Sequence, residues 1–412
     1  MKTAVCAALM ALLPSLAHAQ RADLPSGDVV AAALETHPMV AAAKARLVSA
    51  QAQREMLDRG AHEFTLGGSY ARRDVDLERG YNEFDASITR ALRLPNKATL
   101  DRKSGELGVE VAQNMMEDVM HQTALDLSTL WHDWITAGSL YRNDTDTATA
   151  MEQALDALRR RAELSDASQL DVDLASASLA QARAQADMSL ANREQARVTL
   201  AATFSEVPLP AEPPELAQPQ LPTQNLQNLR ELVIRRSHEI RAADFEAQRL
   251  DAVAQRIRAD RIADPSVGVR VFSERGGPEP GAGVVLSLPI GGSDRRAAAD
   301  QAAALADSAR QDLLTVQRLI AAMADADLSN AQMRLAAWQS ANTSAQSATD
   351  ALNRTQRGYE LGQIDLAELL LIRRQANDAR RMEIEARSEA NRALLKFQID
   401  SHVMWMVDED EP

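Results

Sequence analysis

Aromatic side chains make up 3% of this 412-residue chain, cysteine occurs once, and glycine (17) and proline (15) are scarce and grouped. Each shortage excludes something. Few aromatics leave little to fill a thick globular core, and the tracts of Ala, Leu, Gln, Arg, Asp and Glu suit extended helix packing. The single Cys6 has no partner for a disulfide and forms no cysteine metal site. No run of about 18 apolar residues follows the N-terminal region, so no transmembrane helix is expected. H-E-x-x-H, P-loop and G-x-S-x-G motifs are all missing, so neither a catalytic residue nor a cofactor is expected. His37, His62, His121, His132, His238 and His402 are scattered, with no two at metal-ligand spacing. His402, Met404 and Met406 in "HVMWM" carry donors soft enough for ions such as Cu(I), but that stretch also suits the packed end of a last helix, and no metal is assigned.

What is present starts with "MKTAVCAALMALLPSLAHAQ". Lys2 supplies a positive n-region, residues 4–13 an apolar h-region, and Ala17-His18-Ala19 a cleavage site before Gln20. Residues 1–19 are therefore expected to be a secretory signal peptide that carries Cys6 away. Its loss removes one basic residue and no acid, leaving the mature chain one unit more negative than the −14 of the whole. An acidic exported chain is a poor partner for nucleic acid.

The rest is one pattern written twice, with a period of about 200 residues. "THPMVAAAKA" at 36–45 returns as "SHEIRAADFE" at 237–246, Glu78-Arg79-Gly80 as Glu274-Arg275-Gly276, Leu94-Pro95 as Leu288-Pro289, and Glu163-Leu164 as Glu360-Leu361. The first repeat covers 20–207 and the second 223–407, followed by an acidic tail at 408–412. Between them, 208–222 holds six prolines, which cannot continue a helix; it is either a connector packed along a surface or a flexible linker. Each repeat reads as a first helix (26–61 and 225–262), two short strand-like runs, a very long helix, a tip and a return helix. Residues 293–357 contain neither Gly nor Pro. At about 1.5 Å per residue, a helix of about 60 residues extends roughly 90 Å, more than a globular domain needs. The tips fall near 164–168, where "LSDAS" offers turn chemistry, and at Leu361-Gly362-Gln363.

The strand-like runs, near 64–92 and 266–290, alternate with period two. Phe64, Leu66, Phe84 and Ile88 in the first repeat, and Val267, Val269, Leu286 and Leu288 in the second, mark one apolar face. Runs of about ten residues with one apolar face fit transmembrane barrel strands facing lipid, although two ordinary hairpins on a soluble domain show the same period. Four strands cannot close a membrane barrel, and open edges in lipid leave backbone groups unsatisfied. Membranous strands would thus require oligomerisation, and a trimer supplies twelve.

"ALETHPMVAAAKARL", the Leu-Pro after each second strand and "YELGQIDLAELLLIRRQANDARRMEIEARSEANRALLKF" together resemble the TolC family of outer membrane efflux proteins over essentially the whole mature chain. "LSLPIGG" and "ELGQIDLAELL" look most like its CzcC-like heavy-metal and cation efflux branch, with multidrug or type I protein secretion as alternatives. The resemblance implies a mainly α fold with a small β part. Long helical hairpins would form a trimeric periplasmic α-barrel, and four strands per chain would join a 12-stranded outer-membrane β-barrel. It further implies a passive exit duct served by a periplasmic adaptor and an inner-membrane pump, of RND type for the cation branch. Leu164, Ser165, Asp166, Leu361, Gly362 and Gln363 would then be adaptor-docking tips. Glu368 and Asp365, with Asp171, Asp173, Arg357 and Tyr359, would surround a periplasmic aperture. Arg357 and the 159–161 arginines are placed to latch those acids, which otherwise read as charge at helix ends on a solvated surface. Ser165 in place of Gly, and one extra residue after it, set the first tip apart. A helix–turn–helix without a partner, within a soluble coiled-coil scaffold or adaptor, is the competing reading.

Overall fold

The structure is a computed structural model and describes residues 23–60 and 62–406. The expected signal peptide (1–19) and acidic tail (408–412) lie outside the described residues. The elements run α1 (Gly27–Thr36), α2 (Pro38–Arg59), β1 (Phe64–Arg73), β2 (Tyr81–Ala91), α3 (Pro95–Glu163) and α4 (Gln169–Thr203), then α5 (Leu226–Arg236), α6 (His238–Ala259), β3 (Ser266–Glu274), β4 (Glu279–Ser287), α7 (Ser293–Glu360) and α8 (Leu366–Asp400). The class is mainly α with one small antiparallel sheet. The repeats match element for element: α3 and α7 hold 69 and 68 residues, α4 and α8 hold 35 each. No helix among the described residues is long and apolar enough to cross a membrane.

One expectation fails in both repeats. The sequence reads as a single first helix, but the chain breaks at Thr36/His37 and again at Arg236/Ser237. His37 is extended and caps α2, its Nδ1 accepting from the Met39 amide at 3.3 Å, with Pro38 at the first helical position. Ser237 does the same for α6, its Oγ accepting from the Ile240 amide at 3.1 Å. The apolar periodicity runs through both breaks, which is why pattern alone misses them.

The chain divides into two compact units, and each draws on both repeats. One combines the described part of Met1–Ala33 with Thr129–Gln220 and Leu335–Arg392. Its core joins Met151, Leu155 and Leu158 of α3, Ala175 and Leu179 of α4, and Leu366 and Leu369 of α8, all at spacings of three or four that share a helix face. The Pro-rich connector packs along this unit. Arg142 donates to the carbonyl of Pro213 at 3.0 Å, and Asn391 to that of Ala217 at 2.8 Å. Pro213 lies against Gly138, where a Cβ would come within 2.1 Å of its ring. Gly138, in the middle of α3, thus marks the place where the connector crosses that helix.

The other unit holds Leu34–Ser128, Leu221–Arg334 and the described part of Ala393–Pro412. Its core sets Leu229 and Val233 of α5 against Ile320, Ala324 and Ala331 of α7 and Leu394 and Phe397 of α8. It also carries the sheet, in the order β1-β2-β3-β4, so β2 of the first repeat pairs with β3 of the second.

Candidate functional site

Two features carry the functional argument, the sheet in one unit and the pair of hairpin tips in the other. In the sheet, directly opposed residues share a face. Pairing registers Leu66 with Ile88, Ile88 with Val269 and Val269 with Val284, a rung of four aliphatic side chains across both repeats. The next rung is Phe64, Arg90, Val267 and Leu286; on the other side lie Gly68, Ala86, Val271 and Ala282, then Tyr70 opposite Phe84. Seven of the eight expected face residues therefore point one way, and Leu288 lies one residue past the end of β4. This face is open: Leu66 is 80% and Val284 83% exposed. The opposite face carries Thr65, Ser87, Thr89, Asp85 and Arg270, with Asp85 and Arg270 ion-paired across β2 and β3. Strands of 9 to 11 residues match a tilted membrane crossing. Among the described residues β1 and β4 have no neighbour on their outer sides, leaving two edges of unpaired backbone groups. Arg90, at the end of β2, was not expected on the apolar face. It stacks 5.0 Å over the Phe64 ring and donates to the His62 carbonyl, which places a charge at the rim of that face.

The tips share one backbone. After α7, the Gln363 amide donates to the Gly358 carbonyl at 2.8 Å and the Gly362 amide to that of Tyr359 at 3.0 Å. After α3, Asp166 donates to Arg161 at 2.8 Å and Ser165 to Ala162 at 2.9 Å. Both are Schellman closures with the key residue in the left-handed region, Gly362 at φ +70° and Ser165 at φ +61°. The expected extra residue after Ser165 is absent, because the helices restart in register. Ser168 caps α4 and Asp365 caps α8, with Asp171 and Glu368 each three residues on.

The side chains differ between the tips. In the first, Ser168 and Asp171 form a capping box, and the Asp171 carboxylate accepts from the Ser168 amide at 3.1 Å and its hydroxyl at 2.7 Å. Asp173 accepts from Gln169 at 3.0 Å. In the second, Asp365 accepts from the Glu368 amide at 2.8 Å, and the exposed Glu368 carboxylate has no partner among the described residues. Arg161 pairs with Asp166 at 2.9 Å, reaches the Tyr359 hydroxyl at 3.3 Å and lies over that ring. Its guanidinium is held above its ordinary pKa, first by the hydrogen bond it donates to Asp166. At the matching position, Gly358 leaves room for Ile364, whose Cδ1 would lie 2.6 Å from an added Cβ. The expected latch is not formed. Arg159 pairs with Asp156 within its own helix, Arg160 donates to the Asp156 carbonyl, and Arg357 is exposed and bonded to none of the four acids. Leu164 and Leu361 project into solvent, 80% and 67% exposed.

Three of the scattered histidines meet. His402 stacks on His238 with ring centroids 4.8 Å apart and meets His121 edge-on at 5.3 Å. They come from α3, from the start of α6 and from just past α8, so no local spacing announces them. Met404 and Met406 are half-buried nearby in sequence.

No protein-family model and no curated protein matches the chain. Among solved structures it is similar to the outer-membrane channel OprN, at 18% identity and TM-score 0.78 over 92% of this chain and 90% of that one. It is also similar to the outer membrane protein VceC of Vibrio cholerae (14%, TM-score 0.74, 91% and 95% covered). A third is the CmeC outer membrane channel of Campylobacter jejuni (14%, TM-score 0.74, 93% and 86% covered). At these identities the likeness is one of fold.

Proposed function

We propose that this chain is one of three copies of a TolC-like outer-membrane exit duct. The observation that carries the reading is the apolar face that continues in register across both repeats. An apolar sheet face with nothing over it, bounded by two unpaired edges, is costly in water and equally costly as an isolated sheet in lipid. Three copies joined edge to edge satisfy both requirements, giving twelve strands with the apolar face toward lipid and the polar face toward a lumen. The likeness in fold to outer-membrane channels supports the same assembly.

In this reading the duct breaks no bond and holds no cofactor. An inner-membrane pump drives export through a periplasmic adaptor that docks on the tips at Leu164–Asp166 and Leu361–Gln363. Glu368, with Asp365 beside it, supplies a ring of negative charge once per copy, and Asp171 a weaker one because its carboxylate is already engaged in capping. Metal cations and an RND-type pump are the cargo and motor that the sequence resemblance favours, ahead of multidrug or type I protein secretion.

Fractionation tests the reading. The chain should sediment with outer membranes and cross-link as a trimer; a soluble monomer would instead support a periplasmic scaffold or adaptor. In planar bilayers, Glu368→Ala should weaken cation selectivity and divalent block, and Asp171→Ala should do so less. No change in either would remove both acids from the pore.

A further inference from the structure

Asp118 and His121 lie three residues apart on one face of α3, and Glu239 sits in the first turn of α6. One ligand atom from each falls within 4.8 Å of the other two. A cation about 2 Å from each donor needs them within about 4 Å of one another, a closure that small side-chain rotations supply. We propose that these three residues bind one divalent transition-metal cation of the Zn2+ class, a site that does not depend on the export reading.

The imidazole carries the argument. His121 is 4% exposed, and its Nε2 lies 2.9 Å from Asp400 Oδ1. Asp400 is itself buried, and Lys396 Nζ donates to its other oxygen at 2.5 Å. With Lys396 beside it, the Asp400 carboxylate is placed to accept a hydrogen bond from Nε2–H. Nδ1 is buried and has no hydrogen-bond partner among the described residues, and in the neutral imidazole it is the free lone pair. A carboxylate orienting a histidine so that its second nitrogen faces a cation is the usual supporting arrangement at such sites.

The carboxylates point the same way. Asp118 and Glu239 are both half-buried and face one shared space, an oxygen of each lying within 4.8 Å of the other. The adjoining cleft, about 440 Å³, is lined by four acids, Asp118, Glu239, Glu246 and Asp312, and by no basic side chain. Beside the site, Glu117 lies 2.9 Å from His238, and the His238 and His402 rings stack. One imidazole with two carboxylates suits borderline ions. Ca2+ and Mg2+ prefer all-oxygen sites, and Cu(I) prefers sulfur.

The test uses the full, tag-free mature chain in detergent, stripped with a chelator and titrated with Zn2+. It should bind one Zn2+ per chain more than the Asp118→Asn/Glu239→Gln double variant, which keeps the side-chain volumes and the His121–Asp400 bond. Each single variant should weaken binding at least about tenfold. Excess Mg2+ should not displace the ion. X-ray absorption of the Zn2+-loaded wild type, which needs no variant, should show one imidazole among oxygen donors. Equal binding by the double variant, displacement by Mg2+, or an all-oxygen shell would each overturn the site.

Discussion

The first and second repeats make their strand pairs from the same kinds of side chain but their hairpin turns from different ones. In the sheet, Leu66 and Ile88 from one repeat continue into Val269 and Val284 from the other, so chemistry repeats along with geometry. At the tips only the geometry repeats. The left-handed residue is Ser165 once and Gly362 once, the cap is Ser168 once and Asp365 once, and bulk sits at Arg161 in one and Ile364 in the other. A face whose requirement is to be apolar along its whole width constrains both copies alike. A tip constrains only the backbone, and leaves each copy free to present a different surface.

Substitutions on the sheet should show the equivalence. Arg placed on a lipid-facing position near mid-bilayer costs about 2–4 kcal/mol. Ile88→Arg and Val284→Arg, on one rung of the sheet, should therefore lower trimer yield in the outer membrane to a similar degree, and a loss confined to one repeat would break the comparison. At the tips the responses should diverge. A side chain in the left-handed region costs about 1–2 kcal/mol, so Gly362→Val should loosen its turn by that amount. Ser165→Val should cost less, because Ser165 already carries most of that strain; hydrogen exchange of the amides of Ser165, Asp166, Gly362 and Gln363 reads both.

Removing the caps, by Ser168→Ala and Asp365→Ala, should cost about 1 kcal/mol each, and more at Ser168 because two reciprocal bonds are lost. The smallest effect is a gain. Ser165→Gly should tighten the first tip by roughly 0.5 kcal/mol, seen as slower exchange at Asp166.

The strand facing was legible because period two is a local signal and both copies carry it. The second tip was legible because Gly362 advertises a positive φ in a long stretch whose one other glycine, Gly358, lies a single helical turn before it. The first tip was not, since serine rarely adopts φ +61° and the sequence suggests an inserted residue where the backbone has none. The breaks before α2 and α6 were hidden because His37 and Ser237 cap without interrupting the apolar pattern. The latch drawn between Arg357 and the tip acids failed because charge and spacing name candidates without fixing side-chain direction. Asp118, His121 and Glu239 were invisible for a different reason, since α6 brings Glu239 to the pair on α3 from more than a hundred residues along the chain.

The central claim is that one face of the sheet meets lipid and the other a water-filled lumen. Single cysteines placed in alternation along β1, β2 and β3 test it directly, with Cys6 replaced to leave no other thiol. In outer-membrane vesicles treated with a small water-soluble maleimide, cysteines at Thr65, Thr89 and Arg270 should label, and those at Leu66, Ile88 and Val269 should stay protected until detergent is added. Equal labelling of the two sets before detergent would contradict the claim.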